Sequence, residues 1–241
     1  IIMEGRVFQN GNRLDKPAIL LASDVGLTVK GDKLPYVSRG GLKLEKAIAA
    51  FGLTFEGKTC MDVGSSTGGF TDCMLQKGAQ KVYAVDVGYG LLDWKLRNDP
   101  RVVVMERTNA RLLNPEMTGG ERMDFASMDV SFISIRTVLP AVRTCMKENA
   151  HLAVLVKPQF EARREQVGKG GIVRDPKVHR EVLETVIAAM PAIGLVPQVL
   201  TVSPIKGVGG NTEFLLHLTN TELNDAAFQA ERAIEDVLRF V

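Results

Sequence analysis

Cys60-Met61-Asp62-Val63-Gly64-Ser65-Ser66-Thr67-Gly68-Gly69-Phe70-Thr71-Asp72 decides the reading of this chain. An apolar, strand-like run passes through a carboxylate into a glycine-rich turn and on into a helical pattern. Further along, Val82-Tyr83-Ala84-Val85-Asp86 ends a second strand-like run in another acid. Two such strand ends are how an open α/β sheet holds a ribonucleoside: glycines let the backbone approach the ligand, and the second acid binds ribose hydroxyls. A tight strand-to-helix turn with only a structural purpose is the bland alternative. The acid in register with the turn favours the nucleoside site.

The turn reads D-x-G-x-S-x-G-G. It is neither the G-x-G-x-x-G of dinucleotide-binding folds nor a phosphate loop closing in Gly-Lys-Ser/Thr. Asp62, ahead of the first glycine, would repel a pyrophosphate. It suits a cofactor with no phosphate and a positive centre, which describes S-adenosylmethionine, so methyl transfer is the favoured reaction class. The candidate cofactor contacts are Asp62 and Gly64 at the methionine end, with Ser66, Gly68, Gly69 and Phe70 lining the turn. Asp86 is expected on the ribose, Glu106 or Asn109 near the adenine, and Asp129 closing the pocket. Tyr89 and Trp94 read equally well as base-stacking groups and as core or rim aromatics.

The 241 residues, 45% hydrophobic and 24% charged, suit one full-sized α/β domain with a small appendage. A net charge of +2 neither demands nor excludes nucleic acid. Cys60, Cys73 and Cys145 lack metal-ligand spacing and leave one unpaired, so they read as small core residues in a reducing compartment, with no metal expected. No apolar run reaches bilayer-crossing length and no signal peptide is evident, which points to the cytoplasm. The opening Ile1-Ile2-Met3 reads as a fragment whose true N-terminus is missing.

Residues 1–30 are turn-rich, and Asn10-Gly11 between β-prone runs signals a hairpin. Gly5-Arg6-Val7-Phe8-Gln9-Asn10-Gly11, Lys16-Pro17 and an Asp24 ahead of Leu27-Thr28-Val29 resemble the second half of an S4 RNA-binding domain; a plain hairpin is the alternative. Residues 31–36 read as a linker and 37–241 as the main domain. That domain opens with a helix to Phe51, with Ser38 as a possible cap and Gly52 as a stop. Strands are expected over 58–63, 81–86, 102–106, 123–128 and 151–156. Helices are expected over 67–77, over 134–146 despite Pro140, and over 176–189. Strands near 196–202 and over 213–218 read as a closing antiparallel hairpin, followed by a helix over 222–240. The alternation predicts a doubly wound, Rossmann-like α/β sheet with an antiparallel last strand and the cofactor at its carboxyl edge.

After the fourth strand comes Ser127-Met128-Asp129-Val130-Ser131-Phe132. It contains neither the Asn/Asp-Pro-Pro-aromatic element of base-amine methylation nor the cysteine of base-carbon methylation. The chain offers instead lysines and acids at element ends: Lys43, Asp129, Lys157 and Glu213. Several runs now combine: Tyr36-Val37-Ser38-Arg39-Gly40-Gly41-Leu42-Lys43-Leu44, the loop from Asp62 to Phe70, and Val85-Asp86-Val87-Gly88-Tyr89-Gly90. With Asp129-Val130-Ser131-Phe132-Ile133-Ser134 and Val156-Lys157-Pro158-Gln159-Phe160-Glu161, they resemble the TlyA group of haemolysin-named proteins, itself similar to FtsJ-type ribose 2′-O-methyltransferases. The resemblance covers essentially the whole chain. It implies a Lys-Asp-Lys-Glu catalytic set, matched one by one by Lys43, Asp129, Lys157 and Glu213, with Glu161 and Glu165 as competitors for the last place. It also implies ribosomal RNA as substrate, with cytidine as the nucleoside.

A ribose hydroxyl is a poor acid and must lose its proton as it attacks. A lysine accepts that proton only when neutral; burial and a second ammonium lower its pKa, while carboxylates oppose the shift. Lys157 is therefore expected to be the base or to position the hydroxyl. Asp129 and Glu213 would fix its rotamer, and Lys43 would lower its pKa and steady the alkoxide. RNA contacts are expected from Arg6, Arg39, Lys46, Arg163, Arg164, Lys169, Arg174 and Lys177, around the glycine-hinged stretch 168–171; a solvated charged loop is the bland reading. Two rivals stand beside the enzyme. A membrane-active haemolysin is opposed by the missing spanning segment, and an inactive RNA-binding protein on a methyltransferase fold is opposed by Asp62, Asp129 and Lys157.

Overall fold

Tight turns and doubly buried strands sort the chain into two units, Ile1–Pro35 and Tyr36–Val241. The computed structural model describes residues 2, 7–14, 16, 18–30, 34–221 and 228–241. In the first unit, Val7–Gln9 (β1) pairs antiparallel with both Asn12–Arg13 (β2) and Leu27–Val29 (β3). Asn10 and Gly11 join β1 to β2 with φ of 48° and 83°, the left-handed pair that a two-residue hairpin turn requires. Gly5, Arg6 and Pro17 of the S4-like pattern, and residues 31–33 of the expected linker, lie outside the described residues.

Tyr36, read as linker, is the first residue of the second unit. Its ring is buried against Gly41 and its hydroxyl donates to Glu45 Oε1 at 2.9 Å. Helix α1, Gly40–Phe51, follows. Its N-cap is Arg39 rather than Ser38, and Gly52 ends it in the left-handed conformation, as its position suggested.

The second unit is built on β4 (Thr59–Val63), β5 (Lys81–Val85), β6 (Val102–Met105), β7 (Met123–Met128), β8 (Met146–Val156), β9 (Val196–Val202) and β10 (Phe214–Asn220). The sheet order is β6-β5-β4-β7-β8-β10-β9. All pairings from β6 to β8 are parallel, and β10 runs antiparallel to both neighbours. Strands buried on both faces read as nearly continuous apolar runs, and their alternate residues feed two cores. Cys60, Val82, Ala84, Phe125, Leu155 and Leu215 pack with α1 and with α2, Gly69–Gln76. Met61, Val85, Met128, Val154 and Leu216 face α4 (Ile135–Thr144), α6 (Pro176–Ile193) and α7 (Ala230–Leu238). Two short helices, α3 (Trp94–Arg97) and α5 (Pro158–Glu161), were not foreseen.

Differences from the sequence reading lie at element ends. Helix α4 stops at Thr144 and β8 begins at Met146, ahead of the expected 151, because the Cys145 carbonyl accepts the Met123 N–H at 2.9 Å and draws the chain into the sheet early. Helix α6 runs past Pro191 to Gly194; Asp175 caps its start and accepts the Lys177 N–H. Pro197 is tolerated because β9 is an edge strand. Of the expected helix over 222–240, residues 222–227 lie outside the described residues.

Phe125 on β7 is 1% exposed and packs edge-on against Phe55 at 4.8 Å between centroids. Phe125→Ala should therefore lower unfolding free energy by about 3–5 kcal/mol, measured by urea titration.

Candidate functional site

The strand order reverses between β4 and β7, so the carboxyl ends of these two neighbours diverge and leave a crevice. Pairing continues one residue beyond β7: the Asp129 N–H donates to Val63 O at 2.9 Å. Gly64 follows with φ 83°, and a Cβ there would lie 2.5 Å from the Asp129 carbonyl oxygen. Gly69 abuts Ser38 and Gly41, and Gly68 faces Leu92 and Leu96. The protein's own packing thus already requires glycine at these positions, and Gly64 and Gly69 also line a cleft. Ser66 takes a left-handed φ of 49°.

Two clefts open here. One, of about 590 Å³, runs past Asp86, Val87, Leu91, Asn109, Ile133 and Val138. The other, of about 770 Å³, runs past Arg39, Lys43, Asp62, Phe70, Lys157 and Glu213. Gly64, Ser66, Asp129 and Ser131 line both, so they meet beside Asp129.

Asp62 is 1% exposed. Its Oδ2 accepts the Thr71 N–H and hydroxyl at 2.9 and 2.7 Å, and its Oδ1 accepts the Ser127 hydroxyl at 3.1 Å, across the register that pairs Asp62 with Ser127. Burial pushes its carboxyl up to about 6 against those hydrogen bonds. Asp86 accepts the Ser66 and Gly88 N–H groups at 2.8 and 2.7 Å, tying the glycine turn to β5. Asn109 lines the smaller cleft, and its Oδ1 also caps the turn at Ala110–Leu112. Glu106 is placed elsewhere. It pairs with Arg97, accepts the Gly90 N–H at 2.9 Å, and lines neither cleft, so its expected place near an adenine is not what the structure shows. The Arg97 hydrogen bond holds its carboxyl below the usual range. Tyr89 and Trp94 are exposed and line neither cleft; the Arg107 guanidinium lies 4.2 Å over the Tyr89 ring.

The four element-end residues converge. Lys43 Nζ donates to Glu213 Oε2 at 2.7 Å and to Asp129 Oδ2 at 3.2 Å. Lys157 Nζ is paired with Asp129 Oδ1 and donates to Ser131 Oγ at 3.1 Å. Asp129 thus bridges two ammonium groups. Glu213 anchors Lys43, not Lys157; the second fixing group on Lys157 is Ser131, which sequence reasoning missed although it stands two residues past Asp129. Burial raises the Asp129 carboxyl, but Lys43 and Lys157 outweigh it and hold it below the usual range. Burial likewise lowers Lys43, and Asp129 with Glu213 outweigh that, so Lys43 lies above the ordinary lysine value and is a fixed cation. Glu161 is no competitor for Glu213: it accepts from the Ser134 hydroxyl and the Ile135 N–H at 2.6 and 2.7 Å, at the start of α4. Glu165 is exposed.

Of the cations expected to meet RNA, Arg39 lines the larger cleft. Lys46 sits about two turns further along α1, exposed and outside it. Arg163, Arg164, Lys169, Arg174 and Lys177 are exposed on the segment between α5 and α6 and at the start of α6. Arg6 lies outside the described residues. Lys206 does line the cleft, and nothing in its local sequence marked it. Phe132, 91% exposed at a φ of 64°, packs against Phe160 with centroids 5.1 Å apart.

The three cysteines are buried and free, and burial pushes Cys60 and Cys73 up to about 12, out of nucleophilic range. Among the described residues no cluster of His, Cys, Asp and Glu could hold a metal ion, and no helix is long and apolar enough to cross a membrane.

Comparison with known proteins gives a consistent picture. Residues 36–220 match the family described as FtsJ-like methyltransferase. YqxC of Bacillus subtilis, named as an rRNA methyltransferase, is 57% identical over 90% of this chain and 77% of its own. The 16S/23S rRNA (cytidine-2′-O)-methyltransferase TlyA of Mycobacterium tuberculosis is 44% identical over 99% of this chain and 88% of its own. A solved structure of a hemolysin-named protein from Streptococcus thermophilus superposes with a TM-score of 0.84 at 47% identity, covering 99% of this chain and 88% of that one.

Because an added methyl at position 64 would meet the Asp129 backbone at a left-handed φ, Gly64→Ala should cost about 3 kcal/mol of stability. Chemical denaturation should show this loss even with no ligand added.

Proposed function

The chain belongs to the FtsJ-like methyltransferase family, and from that premise we propose that it methylates a ribose 2′-hydroxyl of ribosomal RNA, using S-adenosylmethionine. Cytidine is the nucleoside to which the name of its mycobacterial relative points. The observation that carries this reading is the unbroken line Glu213–Lys43–Asp129–Lys157–Ser131 where the two clefts meet.

The residues suit the cofactor. Val87, Leu91, Ile133 and Val138 give the smaller cleft apolar walls for a base, with Asp86 beside them for the ribose hydroxyls. Asp62 and Asp129 put negative charge where an amino group and a sulfonium need it. When bound, the cofactor supplies an electrophilic methyl group. Lys157 and Ser131 hold the incoming hydroxyl, and the Lys157 amine takes the proton from that oxygen. Lys43, kept cationic by its two carboxylates, offsets the charge that develops there. Asp129 keeps both lysines in place, and the exposed Phe132 ring offers a base a stacking surface beside them. Arg39 and the basic segment after α5 supply phosphate contacts. We assign residues 1–30 as part of an S4-like RNA-binding element. Such a substrate places the enzyme with the ribosomes in the cytoplasm. A membrane-active role has only the names of relatives behind it.

The test is transfer of labelled methyl to ribosomal subunits and naked rRNA, with mapping of the modified sugar. Lys157→Ala should lower kcat by about 10²–10⁴-fold, with cofactor affinity by calorimetry almost unchanged; near-normal turnover would reject Lys157.

Cofactor affinity should also depend on pH. The Asp62 carboxyl, pushed up to about 6, is protonated below that pH and charged above it, and a cationic ligand prefers the charged form. Affinity should therefore rise by up to about tenfold per pH unit between roughly pH 5 and 6 and level off above. Asp62→Asn should flatten the curve.

A further inference from the structure

Asn211 is 2% exposed and takes no part in the chemistry above. Its Oδ1 accepts the Val173 N–H at 3.0 Å and its Nδ2 donates to Gly171 O at 2.9 Å, so one side chain grips the backbone on both sides of Ile172. The Val173 carbonyl lies 3.2 Å from Nε2 of buried His179 on α6. Within the segment, Gly168 N–H donates to Ile172 O at 3.0 Å and Gly171 N–H to Gly168 O at 3.1 Å. Ile172 in turn rests against Gly209, on the rim of the larger cleft. The glycine-hinged stretch 168–171 is thus pinned in place, and it carries exposed Lys169 with exposed Arg174 just beyond.

Asn211 also reaches the reaction centre. Its main-chain carbonyl accepts the Gly207 N–H at 2.8 Å. Gly207 packs so closely on the Glu213 carboxylate that a Cβ would collide with it. Glu213 holds Lys43. Asn211 therefore joins the cationic strap, through its side-chain amide, to the cleft-lining turn beside the acid of the catalytic set, through its main chain.

We propose that Asn211 is a positioning residue that makes the strap and the Glu213–Lys43 pair one rigid unit, so that RNA phosphates held by Lys169 and Arg174 sit at a fixed distance from the ribose-facing amines. The proposal rests on the ribose-methylating reading above. A strap ordered in advance loses less entropy when the nucleic acid binds, which is read in KM.

Two measurements test it. In the first, trypsin cleavage within the strap of the folded full chain should rise about tenfold in Asn211→Ala, since the side-chain hydrogen bonds to Val173 and Gly171 are lost. S-adenosylmethionine affinity should stay at the unmodified value. Cleavage that does not change overturns the proposal whatever the substrate is.

In the second, Asn211→Ala should raise KM for ribosomal subunits about tenfold with kcat within about twofold, and should add nothing further in a chain already carrying Lys169→Ala and Arg174→Ala. An additive rise would mean that Asn211 acts on the fold in general, which removes this proposal and leaves the methyltransferase reading intact. Failure of the unmodified protein to methylate any ribosomal RNA would remove both.

Discussion

One carboxylate holds the site together. Asp129 sits between the amino groups of Lys43 and Lys157 on the wall of the cleft and pairs with both, one through each carboxylate oxygen. With Glu213 the set contains two acids and two lysines, so it is neutral as a whole and each charge has an opposite within contact distance. Burying such groups is tolerable only as a complete arrangement, because removing any one leaves its partner unpaired in a poor solvent for charge. The arrangement therefore ties four elements, α1, β7, β8 and β10, to a common point, and the geometry needed for chemistry is the geometry that folding requires.

The same economy governs the acids at the ends of β4 and β5. Asp62 and Asp86 each spend hydrogen bonds on the protein, Asp62 joining α2 and β7 to β4, and Asp86 holding the glycine turn. An ionised carboxylate has about four acceptor positions, so these bonds fix its orientation and leave capacity for a ligand. Glu106 shows the other outcome. At the end of a neighbouring strand it faces Arg97 instead of the crevice, and its whole effect is to brace the loop through Gly90.

The strands were legible because burial on both faces of a parallel sheet leaves a strong apolar signal, and the antiparallel closing pair because its strands are joined by a turn-rich segment. Element ends were less so. Where α4 hands over to β8, the local pattern continues to favour helix through Met146, and only the pull of the Cys145 carbonyl toward β7 ends it earlier. The first residue of the second unit was misread for a similar reason: Tyr36 resembles linker until its ring finds the space left by Gly41. Ser131 and Lys206 carried no local mark of their roles.

What the sequence determined by itself was which chemical groups stand at the ends of which elements. Strand periodicity, glycine turns and the placement of Lys43, Asp129, Lys157 and Glu213 are local properties, fixed by residues a few positions apart. Which lysine meets which acid was decided only in three dimensions. Lys43 and Glu213 are separated by 170 positions along the chain, and their contact depends on β10 entering the sheet beside β8 in the register that pairs Phe214 with Val156. Pairing of charges is a short-range effect acting between segments that are remote in sequence, so no reading of either segment alone could have shown that Glu213 turns to Lys43 and leaves Lys157 to Asp129 and Ser131.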